Sequence, residues 1–345
     1  MKPKIGFAPR LKPMSKLKEV KEILIVSLSN IGDVVLTTPV ITALRGYFPE
    51  AKITVVVGER AVSLLEGSRL IDRLVIYRKK SSLFSKLGFL AELLKRRYDL
   101  VVDLRHTLIP FLVSARRRSP VLRRSRALSM REKHLEVLKK MGFEIPDLPC
   151  FDFFSAAEKK SFLADLKAKG IAAAQDWILM APAAASQLKS WRLEGFGEVL
   201  AEIVRERSEP VFLVGHERER SLLEKLASRY PGKVFNLAGE TTLRELAFAV
   251  SACSLLITND SAVMHLGFEM NRRVVALFGP TSSLRYGRTG PRFRMVTAGS
   301  DCSPCEQPVC RFQRQHCFED LNSTKVLAAC WELLGESNPS VRSPR

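Results

Sequence analysis

Short apolar runs alternate with stretches of helical spacing along most of this chain. Ile23-Leu24-Ile25-Val26 marks a buried strand over Glu22–Leu28, and Val34–Tyr47 follows at a helical period. Lys52–Val57 reads as a second strand, Ala61–Leu65 opens a helix, Leu74–Tyr77 is a short strand, Ser82–Arg97 is helical and Leu100–Asp103 is again a strand. Strands of this β-branched kind, alternating with helices, predict parallel βαβ units. Around residues 144–176 the pattern loosens, with Pro146, Pro149, a helix near Ala157–Lys169 and then Gly170. A second series follows. Its strands are Trp177–Ala181, Val211–Val214, Val234–Leu237, Leu255–Thr258 and Arg273–Phe278, and its helices Phe196–Glu206, Arg218–Tyr230, Leu243–Ala252 and Ala262–Met270. Two doubly wound α/β domains are therefore expected, over 21–170 and 171–322. A last helix, Ser323–Leu334 within 323–336, is expected to pack back on the first domain. Residues 1–20 read as a flexible basic arm and 337–345 as a disordered tail.

Composition sharpens this picture in three ways. A chain of 345 residues is long enough for two cores. The net charge of +19 is uneven: residues 1–170 hold 34 Lys/Arg and 17 Asp/Glu, a net of +17, and the remainder 21 and 19, a net of +2. Such a field attracts polyanions, whether nucleic acid, anionic lipid headgroups or a phosphorylated substrate. No apolar run approaches the ~20 residues that span a bilayer. The longest candidate, Thr107 to Ala115, has nine residues and includes Pro110. No apolar leader core follows the basic N-terminus, so the expected location is cytoplasmic. Seven cysteines, an odd number, argue against a disulfide framework.

Candidate chemistry collects where predicted strands end, the place at which doubly wound sheets bind ligands. After the first strand comes Ser27-Leu28-Ser29-Asn30-Ile31-Gly32-Asp33. Gly32 permits a tight turn, and Asp33 sits near a helix N-terminus that favours a carboxylate. On this stretch alone an ordinary helix cap accounts for Asp33; the polar residues around it add weight to a ligand role. In the second half, Asn259-Asp260-Ser261 follows a strand, with His265 in the first turns of the next helix, where a packed, hydrogen-bonded histidine is the simpler reading. Gly279-Pro280-Thr281 follows another strand and suits either a plain turn or diphosphate binding. Lys189 lies two residues before Trp191, putting a cation close to a flat apolar surface; it is either a phosphate ligand or a solvated lysine. The glycine fingerprint of dinucleotide enzymes is absent.

Three stretches together, SNIGDVVLTTPVITALRGYFPEAKITVVV, LKSW and ITNDSAVMHLGFEMNRRVVALFGPTS, resemble the signature regions of glycosyltransferase family 9, the ADP-heptose:lipopolysaccharide heptosyltransferases. The pieces YDLVVDLR, REKHLEVLKKMG and NLAGETTLRELAFAVSACSLLITND also fit, and the likeness runs over roughly residues 22–335 in the family's order. The resemblance implies a GT-B fold, two Rossmann-like domains facing across a cleft, with acceptor bound by the first and ADP-sugar by the second. It implies inverting, metal-independent transfer in which Asp33 is the general base. By the same resemblance Ser29, Asn30, Gly32 and Arg105 lie on the acceptor side. Lys189 meets phosphate, Asp260 the donor sugar, Ser261, His265, Gly279, Pro280 and Thr281 line the donor site, and Glu219 contacts the adenosine ribose. The implied acceptor is an anionic lipid A–Kdo core at the inner face of the inner membrane, the chain being peripheral there. The basic clusters Arg78-Lys79-Lys80, Lys95-Arg96-Arg97, Arg116-Arg117-Arg118 and Arg123-Arg124 would face those anions.

Two departures from the family pattern touch the donor side. Ala183-Ala184-Ala185 stands where hydroxyl or glycine residues are usual, and Ala262 replaces a glycine. They leave open a same-fold transferase that uses another nucleotide sugar for a different surface glycan. A nucleic-acid-binding α/β protein is the alternative of another class, disfavoured because the basic clusters lack interleaved aromatics. No cofactor is expected to be required. The spacing Cys302-x2-Cys305-x4-Cys310-x6-Cys317 is compatible with a structural zinc as well as with reduced, packed thiols.

Overall fold

A computed structural model describes residues 19–335 apart from 28–29, 122–126, 128 and 172–175. The expectations for the basic arm up to residue 18, for Ser29, for Arg123-Arg124 and for the tail at 337–345 therefore lie outside the described residues. The chain divides into two compact units, residues 1–153 and 154–345.

In the first unit, β1 (Glu22–Val26), β2 (Lys52–Gly58), β3 (Arg73–Tyr77), β4 (Arg97–Asp103) and β5 (Ser114–Arg118) form a parallel sheet in the order β3-β2-β1-β4-β5. The central strand β1 reads EILIV and buries all but its first residue, as a strand covered on both faces must. Leu24, Val26, Val56 and Val101 share one face, and over it lie Phe89 and Leu93 of the helix Leu83–Leu94 and Ile109 of the helix Ile109–Leu112. The helix expected over Val34–Tyr47 is two, Ile31–Val35 and Thr38–Tyr47, because Pro39 can only begin a helix at this point. Strand β5, read from SARRR, was invisible to a search for apolar runs, since it is an edge strand with alternating exposure.

In the second unit, β6 (Trp177–Ala181), β7 (Val211–Leu213), β8 (Val234–Asn236), β9 (Cys253–Asn259), β10 (Val274–Leu277) and β11 (Phe293–Val296) are also parallel, in the order β11-β10-β9-β6-β7-β8. This is the doubly wound Rossmann order. The unit begins earlier than the sequence pattern suggests. The helix Ala156–Ala168 belongs to it: Phe162 packs on Trp177 and Phe248 at ring distances of 5.9 and 5.7 Å, and Arg244 pairs with Glu158 at 2.6 Å. The Pro-containing stretch near 144–150 is thus closer to the junction than Gly170. The helix Ser323–Leu334, expected against the first domain, instead buries Val326, Cys330, Trp331 and Leu333 in the second unit's own core. Its apolar stripe fits the layer over β9, β10 and β11, so no other partner is needed.

One close approach fixes the chain next to Lys189. A Cβ on Gly195 would fall 2.4 Å from the Trp191 ring, and Trp191 cannot retreat. Its backbone N–H donates to Asn259 Oδ1 at 3.0 Å and its indole N–H to the Leu321 carbonyl at 3.1 Å, with the side chain fully buried. Gly195→Ala is therefore expected to lower unfolding free energy by about 1–3 kcal/mol. A urea titration should show the midpoint falling with its slope unchanged.

Candidate functional site

Each sheet reverses its strand order at one point, between β1 and β4 in the first unit and between β6 and β9 in the second. The crevice outside the strand ends at such a point has no crossover helix filling it, so side chains there are free to meet a ligand. The candidate residues cluster at both places.

In the first unit, Asp33 follows β1 and Arg105 follows β4. Asp33 lies in the first turn of Ile31–Val35, so it is inside the helix and not its cap; Asn30 is the N-cap residue, without a side-chain capping bond. Its carboxylate faces the Arg105 guanidinium at 4.0 Å, both side chains being a little over one quarter exposed. Behind them the backbone is held tightly. Ser27 and Thr37 hydroxyls meet at 2.6 Å, and Thr37 donates to the Val34 carbonyl at 2.7 Å. Asp103, buried at the end of β4, accepts from the Arg105 N–H at 2.8 Å and from the Thr107 N–H and hydroxyl at 2.5 and 3.0 Å. That carboxylate locks the turn carrying Arg105, including His106 at φ 54°.

A residue that the sequence did not single out sits beside this pair. His134 is buried on the helix Met130–Lys140, with Nδ1 3.1 Å from the Leu36 carbonyl. A carbonyl only accepts, so Nδ1 carries the proton, and among the described residues Nε2 has no hydrogen-bond partner. Burial, reinforced by Arg105 against the opposing pull of the Leu36 carbonyl and Asp33, pushes the imidazole down to about 4. The signal available was a histidine on the apolar stripe of a helix with a Ser129/Glu132 capping box.

In the second unit three strand ends converge on one carboxylate. Asp260, which follows β9, is buried; its Oδ2 accepts from Lys189 Nζ and from the Thr281 hydroxyl, each at 2.7 Å. Lys189 comes from the loop after β6 and Thr281 from the loop after β10. The lysine remains about one-third exposed, and its ammonium lies 5.5 Å from the Tyr286 ring centroid. The flat surface beside it is thus Tyr286; Trp191, the aromatic suggested by sequence proximity, turns into the core and takes Arg192 on its face. Asn259 ties the same region together, donating to the Pro182 carbonyl at 2.6 Å while accepting from Trp191. Ser261 is the N-cap residue of the helix Ala262–Glu269, its hydroxyl 3.1 Å from that of Thr258, and His265 is buried on that helix.

Gly279 and Pro280 are held from the cysteine-rich segment. A Cβ on Gly279 would strike the Phe318 ring at 2.4 Å. Ser303 donates to the Gly279 carbonyl at 2.5 Å, the Glu306 N–H to the Pro280 carbonyl at 2.8 Å, and Gln315 to the Leu188 carbonyl at 2.5 Å. Cys302, Cys305, Cys310 and Cys317 line one cavity of about 340 Å³ with Leu188 and Pro280, and all are free thiols. Among the described residues no group of three or more His, Cys, Asp or Glu side chains is arranged to hold a metal ion. Glu219 is the loosest of the sequence candidates: its carboxylate accepts from the His216 N–H at 2.6 Å and meets Arg218 at 3.1 Å, as a cap of its own turn.

Buried carboxylate, paired lysine and hydroxyl at a Rossmann switch point suit an anionic ligand such as a diphosphate. The profile of glycosyltransferase family 9 (heptosyltransferase) matches residues 89–316, 228 of the 345.

The chain belongs to glycosyltransferase family 9.

Relatives of this family 9 chain include lipopolysaccharide heptosyltransferase 3 of Escherichia coli K12, 26% identical over 90% of this chain and 97% of that protein. Another is lipooligosaccharide heptosyltransferase 2 of Campylobacter jejuni, 30% identical over 44% of this chain; the match spans only about half, 48%, of that relative's length. A solved family 9 glycosyl transferase from Veillonella parvula superposes with a TM-score of 0.78 at 22% identity, covering 92% of this chain and 98% of that one, which shows the shared fold.

The buried His134 gives this region a pH dependence. Its folded pKa lies below the ordinary imidazole value of about 6.5, so the stability gained from a neutral ring is complete above that value and is lost as pH falls towards about 4. Between pH 7.5 and 4.5, urea unfolding should show the native chain losing on the order of 2–3 kcal/mol more than His134→Gln. Parallel losses in the two proteins would remove His134 from the account.

Proposed function

We propose that this chain moves heptose from ADP-heptose to a lipopolysaccharide inner-core acceptor, with inversion and without a catalytic metal. The observation that carries the reading is the Lys189–Asp260–Thr281 constellation at the β6/β9 switch point of a family 9 chain. In this reading the donor diphosphate takes hydrogen bonds from Lys189, whose ammonium has three donors and uses one on Asp260, and from the Thr281 region. Asp33 takes the proton of an acceptor hydroxyl as that oxygen attacks the anomeric carbon. The bond between that carbon and the diphosphate oxygen breaks on the opposite face, and ADP departs with the electron pair. Lys189 and nearby backbone N–H groups stabilise the charge growing on it.

Several features support the division of labour. Asp33 is accessible, and its neighbour Arg105 provides a cation for an anionic acceptor without the short contact that would occupy both carboxylate oxygens. The excess positive charge is confined to the half that carries Asp33, as recognition of a phosphorylated and carboxylated acceptor requires. The role of Glu219 at the ribose is part of this proposal only as an exchange of its present capping bonds.

Turnover of ADP-heptose on purified inner-core acceptor tests the reading. Asp33→Asn should lower kcat by roughly 10²–10⁴ while leaving ADP affinity within about twofold. Lys189→Met should weaken ADP binding by roughly tenfold or more in calorimetry. Native activity should survive EDTA. Full turnover by Asp33→Asn would sink the base assignment. Intact ADP binding with no transfer to any truncated acceptor would redirect the reading to another donor sugar.

A further inference from the structure

The helix Leu83–Leu94 buries a single side chain, Leu93, although its sequence, LFSKLGFLAELL, is mostly apolar. Phe89 and Leu93 face the sheet, Phe89 with its ring 5.4 Å from Tyr77. Turned away from the sheet, Leu83, Leu87 and Leu94 share one stripe at helical spacing, with Phe84 beside it; they are 71, 54, 50 and 86% exposed in that order. Leu108, Phe111 and Leu112 are also exposed, and they belong to the segment whose Ile109 enters the same buried cluster as Leu93. Seven large apolar side chains thus stand open on the layer covering one face of the sheet. Scattered surface hydrophobics need no explanation, but an apolar stripe along one helix does.

The charges around this stripe define its partner. Residues 78–97 hold seven cations, Arg78, Lys79, Lys80, Lys86, Lys95, Arg96 and Arg97, against the single acid Glu92, a net of +6. Glu92 is already paired with Arg73, Arg78 with Glu59 and Arg96 with Glu22. The other five cations form no ion pair among the described residues. A second copy of the chain would set +6 against +6. A surface that is anionic outside and apolar beneath matches both features at once.

We propose that the Leu83–Leu94 helix, with the 108–112 turn, docks the first unit on an anionic phospholipid bilayer. Leu83, Phe84, Leu87 and Leu94 enter the boundary between headgroups and acyl chains, and the flanking lysines and arginines meet lipid phosphates. The inference deepens the lipid-linked acceptor reading and rests on it for its purpose, but vesicle binding requires no catalysis. Sedimentation with vesicles of phosphatidylethanolamine and phosphatidylglycerol, beside pure phosphatidylcholine, tests it. The native chain should bind the anionic vesicles, more weakly as salt rises. The double substitutions Phe84→Glu with Leu87→Glu, and Lys79→Glu with Lys80→Glu, should each weaken binding roughly tenfold or more. Both should keep native circular dichroism, and Phe84→Glu/Leu87→Glu should keep native transfer to a deacylated, water-soluble acceptor. Equal vesicle binding by native chain and Phe84→Glu/Leu87→Glu, or no binding of anionic vesicles at low salt, overturns the proposal. A dimer in light scattering that this variant dissolves, without vesicle binding, also overturns it by assigning the stripe to a second copy. Vesicle binding with no transfer to the soluble acceptor supports docking while rejecting the transfer reading alone.

Discussion

Parallel strands that reverse their order at one point leave an opening that the chain itself cannot fill, and the candidate chemistry depends on that constraint. Every right-handed crossover returns over a face of its sheet, so each helix covers strands on its own side of the reversal. Between β1 and β4, and again between β6 and β9, two neighbouring strand ends send their chains away from each other. Asp33 and Arg105 occupy the first opening; Lys189 and Asp260 occupy the second, with Thr281 arriving from the next strand. Residues 72 and 71 positions apart meet because the topology brings their strand ends to one opening.

Polar groups at these openings are not loose. Asp103 gives three hydrogen-bond acceptances to its own turn, Asn259 spends both ends of its amide on the chain around β6, and Trp191 is pinned by two donated bonds. Each such group is buried, where an unmet donor or acceptor is costly, so alternative loop positions are strongly disfavoured. The segment containing four cysteines takes part in the same fastening through Ser303, Glu306 and Gln315, which reach the Gly279, Pro280 and Leu188 carbonyls. Its visible work is mechanical, whatever drew attention to its thiols.

Much of this was legible in the sequence, for definite reasons. Buried parallel strands such as EILIV and KITVVVG are continuous apolar runs rich in β-branched residues. Asp33, Lys189, Asp260 and Thr281 were identifiable because they sit in the segments that follow such runs. What failed to show was set by contacts across the chain. Edge strand SARRR carries no apolar signal, and the partner of Ser323–Leu334 could not be read from an amphipathic pattern that records only that a partner exists. Trp191 looked like a surface for Lys189 until the core claimed it, and His134 gave no sign of lying beside Asp33 and Arg105.

The sharing of Asp260 Oδ2 by Lys189 and Thr281 has a thermodynamic consequence. Within the triad the carboxylate charge is already balanced by the ammonium and its oxygen shared with a hydroxyl. In the proposed reading an incoming anion takes the two remaining donors of Lys189 while the bonds of Lys189 and Thr281 to Asp260 persist. A neutral ligand gains no charge-assisted bond there, and pulling the lysine away for it would strand a buried carboxylate. On that reading the triad is a valence filter, selecting for charge before any sugar or base is examined.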